Sequence, residues 1–469
     1  MRNRLAGSAA VALGMVGALA ASPSFAATGS PTKPTPVPVV HYLHEAAPTS
    51  TANATRLRTL DAAPTPPRTA DCLATIGVPC YGPTQLAHAY GADAAQQHGM
   101  NGAGATIALV ESYGSPTIQA DLNIFDQAYG LPGTKVETVP FGTLPAQVTT
   151  IDQRGWAEET SLDVEYAHAM APGAHLIVLA VGADETYGSV GMDQMSAAMS
   201  WLVTHRHVDT LSLSWGAMEA NFAEQTGSTA AGNQLIYSLR GGLQTAAAHH
   251  VSILVASGDT GPTGPTLDGT TVYPFRTVSW PASDPLATAV GGTQLHLDYS
   301  GARVGPDTAW SLDRLGLAGG AGLSTAFARP TYQDDVTSLV GTQRGMADFS
   351  ADASCESPLV IDSYYRPNPA LHGWARVCGT SAAAPVMAGL VADAAALVRH
   401  PLGDVGSALY GLSAHQWARG IADVTAGCTD DFGVTGFCAG TGYDLATGWG
   451  TVGNAQGLIR TLAYSGDRE

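Results

Sequence analysis

Apolar residues along this chain fall into short compact runs separated by stretches with helical spacing. Thr106-Ile107-Ala108-Leu109-Val110, His175–Ala180, Thr210–Ser214 and Ser252–Ala256 are apolar runs of strand length. Thr84–Tyr90, Ile118–Tyr129, Glu158–Met170, Met192–His205 and Gly232–His249 carry the three- and four-residue spacing that predicts helices. Runs with little polar alternation fit strands covered on both faces. Strands that alternate with helices predict a parallel sheet. The expected fold class is therefore α/β, a mostly parallel central sheet with helices on both faces. No internal repeat is visible.

The ends of this pattern set the domain organisation. Arg2 and Arg4 precede an apolar run from Val11 to Ala21, then Pro23 and Ser24-Phe25-Ala26. Residues 1–27 read as a secretory signal peptide, cut after Ala26 or Ala27. The run is too short and too rich in Gly and Ala for a membrane anchor. No later stretch reads as a transmembrane helix, so the mature protein is expected to be exported, soluble and free of membrane. Residues 28–80 are rich in Pro, Thr and Ala, with Pro31, Pro34, Pro36, Pro38, Pro64, Pro66 and Pro67. They read as a disordered lead-in. Residues 81–469 are ample for one large folded domain, expected to be a monomer.

Charge and cysteines narrow the setting. Lys and Arg total 21 against 39 acids, a formal net charge of −18. That argues against a nucleic-acid partner, which needs a basic face. Self-repulsion eases as carboxylates protonate, which suits work in acid. Six cysteines in an exported chain favour disulfides over thiols or zinc. They fall into three local pairs, Cys72 with Cys80, Cys355 with Cys378, and Cys428 with Cys438, although six cysteines allow ~15 pairings.

Candidate chemistry starts at Gly379-Thr380-Ser381-Ala382-Ala383-Ala384-Pro385. It lies between a strand-like segment, Trp374–Cys378, and an apolar helical one, Val386–Leu397. A serine there meets free backbone N–H groups and the positive end of a helix dipole, which favour developing negative charge. An N-cap serine on a buried helix is the bland alternative. The turn is similar to the one in subtilisin-like enzymes, whose histidine base sits in a His-Gly-Thr segment after the first core strand. This chain has no such segment, and His98-Gly99-Met100 precedes the first strand.

Carboxyl groups are the other candidates. Glu159 and Asp163 stand four residues apart on one predicted helix, ~6 Å between Cβ atoms. Two such acids repel when both ionise, so one pKa rises and the pair can share a proton. A glutamate so placed can act as general base to a serine hydroxyl. Because Glu158 and Glu165 are also present, a solvated acidic face is the alternative. Ala256-Ser257-Gly258-Asp259-Thr260-Gly261 follows an apolar strand, where α/β proteins place functional groups, although turns also favour Asp and Gly.

Together these segments resemble the sedolisin family of serine-carboxyl peptidases, which includes kumamolisin and lysosomal tripeptidyl peptidase. The resemblance runs from about Tyr81 to about Leu462. It rests on Glu159-x-x-Leu162-Asp163-x-Glu165 with Ala171-Pro172-Gly173-Ala174, on Leu213-Ser214-Trp215-Gly216, and on Ala256-Ser257-Gly258-Asp259. Pro281-Ala282-Ser283, Ala289-Val290-Gly291-Gly292-Thr293 and Gly379-Thr380-Ser381 follow in the expected order. The resemblance implies a subtilisin-like fold and acid-active hydrolysis of peptides or proteins. It makes Ser381 the nucleophile, Glu159 the general base, Asp163 the group that orients Glu159, and Asp259 the oxyanion donor. Glu111 and Trp215 match positions that support the acids. Asp423-Val424 and Gly440-Thr441-Gly442-Tyr443-Asp444 resemble the family's calcium loop. That implies one structural Ca2+ held by Asp423 and Asp444 carboxylates and by Val424, Gly440 and Gly442 carbonyls; a Gly-rich turn is the alternative.

The chemistry is coherent apart from the family. In acid a histidine, with an ordinary pKa near ~6.5, is protonated and useless as a base. A carboxylate whose pKa lies near the working pH serves better. An oxyanion donor made from Asp259 must be a neutral acid. The chain departs from the family pattern in three places. Residues 28–80 replace a large prodomain, so folding unaided or with a separate partner is expected. Ala321 interrupts a Gly-rich run before Ser324, and Ala347 stands where Pro is common, before Asp348. A catalytically silent peptide-binding relative and an ordinary subtilisin with a neutral optimum are the competing readings.

Overall fold

The run Thr106–Ser112 (β1) is buried at every position, as a central strand must be when helices cover both faces. The structure, a computed structural model, describes residues 65–465 apart from 184, 186–187, 313–314 and 412–419. The expected signal peptide and the expected lead-in up to residue 64 lie outside the described residues. β1 pairs in parallel with His175–Val181 (β3) on one side and Thr210–Leu213 (β4) on the other. Val136–Phe141 (β2) closes the β3 edge. Ser252–Ala256 (β5), Thr288–Gln294 (β6) and Phe349–Asp352 (β7) continue beyond β4, giving the order β7-β6-β5-β4-β1-β3-β2 in an eight-stranded sheet. Every neighbour pair along that path is parallel. Thr308–Ala309 adds the one antiparallel edge, against β6.

Helices cover both faces. They are Thr69–Ile76 (α1), Pro83–Tyr90 (α2), Ile118–Tyr129 (α3), Ile151–Met170 (α4), Met192–His205 (α5), Thr229–Leu239 (α6), Gly241–Ala248 (α7), Thr380–Val398 (α8) and Ala455–Ala463 (α9). Strand side chains alternate between the two layers. Ile107 and Leu109 join the core containing Leu162 of α4 and Leu390 of α8. Ala108 and Val110 join the core containing Leu202 of α5 and Leu243 of α7. Among the described residues α8 is the helix long and apolar enough to cross a membrane, yet most of it is buried inside the protein. Its composition reflects a core position between α4 and the sheet.

The fold departs from the sequence pattern in four places. The predicted helix over Gly232–His249 is two helices that break at Arg240, which ends α6 and begins α7. The Arg240 guanidinium is held by both oxygens of Asp284, at 2.6 and 2.7 Å. Helix α4 starts at Ile151, earlier than Glu158, because the Thr150 side chain caps it by accepting from Gln153 N–H. β6 is not evident in the sequence because Gly291 and Gly292 dilute its apolar run. A Cβ at Gly291 would lie 2.6 Å from Ser350 Oγ, and one at Gly292 2.7 Å from the Trp310 ring. Finally, the lead-in is folded at its end. Helix α1 lies within residues 28–80, and its Cys72 is bonded to Cys80. The other disulfides are Cys355–Cys378 and Cys428–Cys438, so all three local pairs form.

Candidate active site

The site lies at the carboxyl ends of β1, β4 and β5, where the chain order across the sheet reverses; α/β folds bind ligands at such points. Ser381 enters from a separate hairpin. Leu359–Ser363 (β8) pairs antiparallel with Gly373–Val377 (β9), and β9 runs through Cys378 and Gly379 into α8. Gly379 has φ +130°, and a Cβ there would lie 2.6 Å from Asp259 Oδ2. Only glycine allows this turn and this approach. Ser381 is buried in the first turn of α8, and its Oγ has no hydrogen-bond partner. Of the N–H groups in that turn, Thr380 N donates to Asp259 Oδ1 at 2.7 Å and Ala382 N to the Gly379 carbonyl at 3.0 Å, while Ser381 N–H precedes the residues that find an acceptor within a helix. Pro385 has no N–H to bond the Ser381 carbonyl four residues back. Ser214 Oγ approaches that carbonyl instead, at 3.4 Å.

The same Ser214 hydroxyl lies 2.9 and 3.1 Å from the two oxygens of Asp163. One side chain after β4 thus ties the acid helix to the Ser381 turn. Glu159 and Asp163 are both buried on α4, and Glu111 is buried near the end of β1. Burial first, then the charges of Asp163 and Glu159, push the Glu111 pKa well up. Burial and the Glu159 charge likewise raise Asp163, against the Ser214 bond that lowers it. Trp215 Nε1 donates to the Val110 carbonyl at 3.1 Å, which braces the backbone beside Glu111.

Asp259 follows β5 and reaches the turn from the other side. Thr380 N and Thr380 Oγ1 both donate to its Oδ1, at 2.7 and 2.8 Å. Burial pushes its pKa up to about 7. The Thr380 bonds oppose that rise and the Glu159 charge adds to it. Glu159 is thus the common electrostatic neighbour of Glu111, Asp163 and Asp259. Four carboxyls from three elements gather around one serine turn.

The other acids of α4 do not form a solvated face. Glu158 is buried and paired with Arg366 at 2.5 Å. Glu165 is buried and accepts from Asp362 N at 3.1 Å. The departure at Ala321 is also accounted for. Segment 318–320 bonds the backbone of 258–259, and a Cβ at Gly320 would lie 2.1 Å from Ser257 O. Glycine is needed at 320, while buried Ala321 is accommodated. Sequence reasoning gave no hydrogen-bonding role to Ser214 or Thr380, although each lies in a segment it singled out.

The second candidate site is the loop around Asp444. Asp444 accepts from Gly440 N at 2.8 Å through Oδ2, and from Ala446 N and Thr447 N through Oδ1. Asp423 Oδ2 accepts from Gly442 N at 3.1 Å. Asp423 Oδ1 is buried without a partner. The Cys428–Cys438 disulfide lies in the chain between the two acids. Among the described residues, no group of three or more His, Cys, Asp or Glu is arranged to hold a metal. Any ion here would therefore depend on two carboxylates and backbone carbonyls.

Comparison with known proteins places this geometry in a family. The profile of the subtilase family matches residues 85–405. The chain is 29% identical over 377 residues to sedolisin of Pseudomonas sp. (strain 101), covering 79% of this chain and 60% of that protein. It is 30% identical over 385 residues to kumamolisin of Bacillus sp. (strain MN-32), covering 79% and 62%. With tripeptidyl-peptidase 1 of Bos taurus it shares 30% identity over 325 residues, 65% and 51% of the two chains. The matches thus span 60%, 62% and 51% of the length of these relatives. Among solved structures, Pseudomonas sedolisin, a serine-carboxyl proteinase complexed with two molecules of pseudo-iodotyrostatin, superposes with a TM-score of 0.66 at 27% identity. That match covers 83% of this chain and 99% of the other.

Proposed function

Because this chain belongs to the subtilase family, and within it to the sedolisin-type serine-carboxyl peptidases, we propose that it is an exported, acid-active peptidase working through Ser381, Glu159, Asp163 and Asp259. One observation carries the reading: the titrating groups gathered around the Ser381 turn are carboxyls. Ser381 Oγ attacks the peptide carbonyl and passes its proton to Glu159. Asp163, itself held by the Ser214 hydroxyl, orients Glu159. The oxyanion takes hydrogen bonds from backbone N–H at the start of α8 and from neutral Asp259. Glu159 then returns the proton to the leaving amine, and water hydrolyses the acyl-enzyme by the same route in reverse.

A pH profile on a denatured protein substrate tests this. Asp259 is neutral below its pKa of about 7 and charged above it. A charged Asp259 repels the oxyanion, so activity is expected to peak in acid and fall as pH rises through that value. A neutral optimum would point to histidine chemistry. No hydrolysis at any pH would point to a silent peptide-binding relative.

Export is supported by the sequence of residues 1–27 and by three disulfides, which persist in oxidising compartments. The Asp423–Asp444 loop fits a hard cation. Asp423 Oδ1 is a buried acceptor without a donor, and burial raises Asp444 to about 6. Asp423 and Asp444 would supply carboxylates to Ca2+, and Val424, Gly440 and Gly442 would supply carbonyls. The ion would serve the fold rather than the reaction. Chelation is expected to lower the melting temperature, and an unchanged melting curve would count against the site.

A further inference from the structure

The bonding around Asp259 gives Thr380 a task of its own, one that rests on the reaction proposed above. The Thr380 hydroxyl accepts from Gly258 N–H at 3.0 Å and lies 2.8 Å from Asp259 Oδ1. A hydroxyl has one proton. Among the described residues Oδ1 is the acceptor that this proton reaches, so the hydroxyl donates to it. Thr380 N–H donates to the same oxygen at 2.7 Å. Oδ1 therefore receives two donors, and a third hydrogen on it would meet both of them. Oδ2 has no partner. It lies 2.6 Å from where a Gly379 Cβ would be, over the backbone of the turn that carries Ser381. The two oxygens of one carboxyl are thus made unequal by their surroundings.

We propose that Thr380 is a positioning residue: by donating to Oδ1 it forces the acid proton of Asp259 onto Oδ2, the oxygen over the Ser381 turn where the oxyanion forms. Without the hydroxyl, Gly258 N–H loses its acceptor and the Asp259 proton can settle on either oxygen. Only one of those forms serves as an oxyanion donor. The same bond favours the ionised carboxylate, so it also holds down the pH at which Asp259 loses its proton. The charged group acting on Asp259 from α4 is Glu159, which works in the opposite sense.

The test compares the wild-type chain with Thr380→Val and Thr380→Ser, using a quenched-fluorescence peptide that the wild type cleaves. Losing a whole oxyanion donor typically costs about 10²–10³ in turnover; misdirecting one is expected to lower kcat about 10-fold in Thr380→Val with little change in KM. The alkaline limb of the pH profile should move to higher pH, because a bond favouring the ionised form is gone. Thr380→Ser should restore both. In an Asp259→Ala background, Thr380→Val should change nothing further. An unshifted alkaline limb, a failed serine rescue, or an undiminished effect in that background would overturn the inference while leaving the peptidase reading intact. If Thr380→Val does not fold, Thr380→Ala yields the same readouts. Inactivity of the wild type at every pH, or full activity of Ser381→Ala, would overturn both.

Discussion

Ser381→Ala is expected to lower turnover by at least about 10⁴-fold, because Ser381 is the proposed nucleophile and belongs to a group that acts as a unit. The fold should be unchanged. Ser381 Oγ makes no hydrogen bond, and alanine suits the first turn of a helix. Glu159→Gln keeps the shape of the side chain and removes its basicity. It should cost about 10²–10⁴ in turnover, the usual worth of a general base. The two effects should not add, since the base has no task without the hydroxyl it deprotonates. Steady-state kinetics on a peptide substrate at the acid optimum, with melting curves of each variant, checks the result. Wild-type-like turnover in either variant would remove that residue from the reaction. A large fall in melting temperature would show that a lost fold, rather than lost chemistry, had been measured.

Thermal stability is expected to be greater at about pH 5 than at about pH 7.5, by at least about 5 °C. The sign follows from the buried acids. Asp259 and Asp362 are raised from 3.8 to about 7 and Asp121 to about 6, in each case mainly by burial. Glu111, Asp163, Glu165 and Asp393 lie well above their ordinary values, with burial again the largest cause. In the unfolded chain these groups lose their protons at 3.8 to 4.5. The native state therefore binds more protons than the unfolded state between those values and about 7. Stability must fall as pH rises through that window. Melting curves across the range test this. A higher melting temperature at neutral pH than in acid would mean that the carboxyls are ionised in the fold and compensated.

Asp259, Glu111 and Asp163 enter both expectations, as buried acids of the candidate site whose pKa values burial raises.

The sequence alone determined the element types, because apolar runs of strand length and helical spacing need only local periodicity. It determined the alternation that makes the sheet parallel. The local cysteine pairs, left open by the sequence, do form, and Ser381 and Asp259 stood out as candidates because each lies in a turn next to an apolar element. Where the pattern failed, local and tertiary demands conflicted. β6 was hidden by Gly291 and Gly292, which Ser350 and Trp310 require for close packing. The break at Arg240 was hidden because its partner, Asp284, is 44 residues away. The end of the lead-in at α1 was hidden among prolines. What only the tertiary structure decided is which acids meet and what state burial gives them. Glu159 and Asp163 were visible as a pair four residues apart, but Glu111 and Asp259 come from other strands. Desolvation, the largest cause of their raised pKa values, arises only when the packed layers exclude water. Ser214 and Thr380 show the same limit. A hydroxyl becomes a positioning group only when folding sets one particular acid against it.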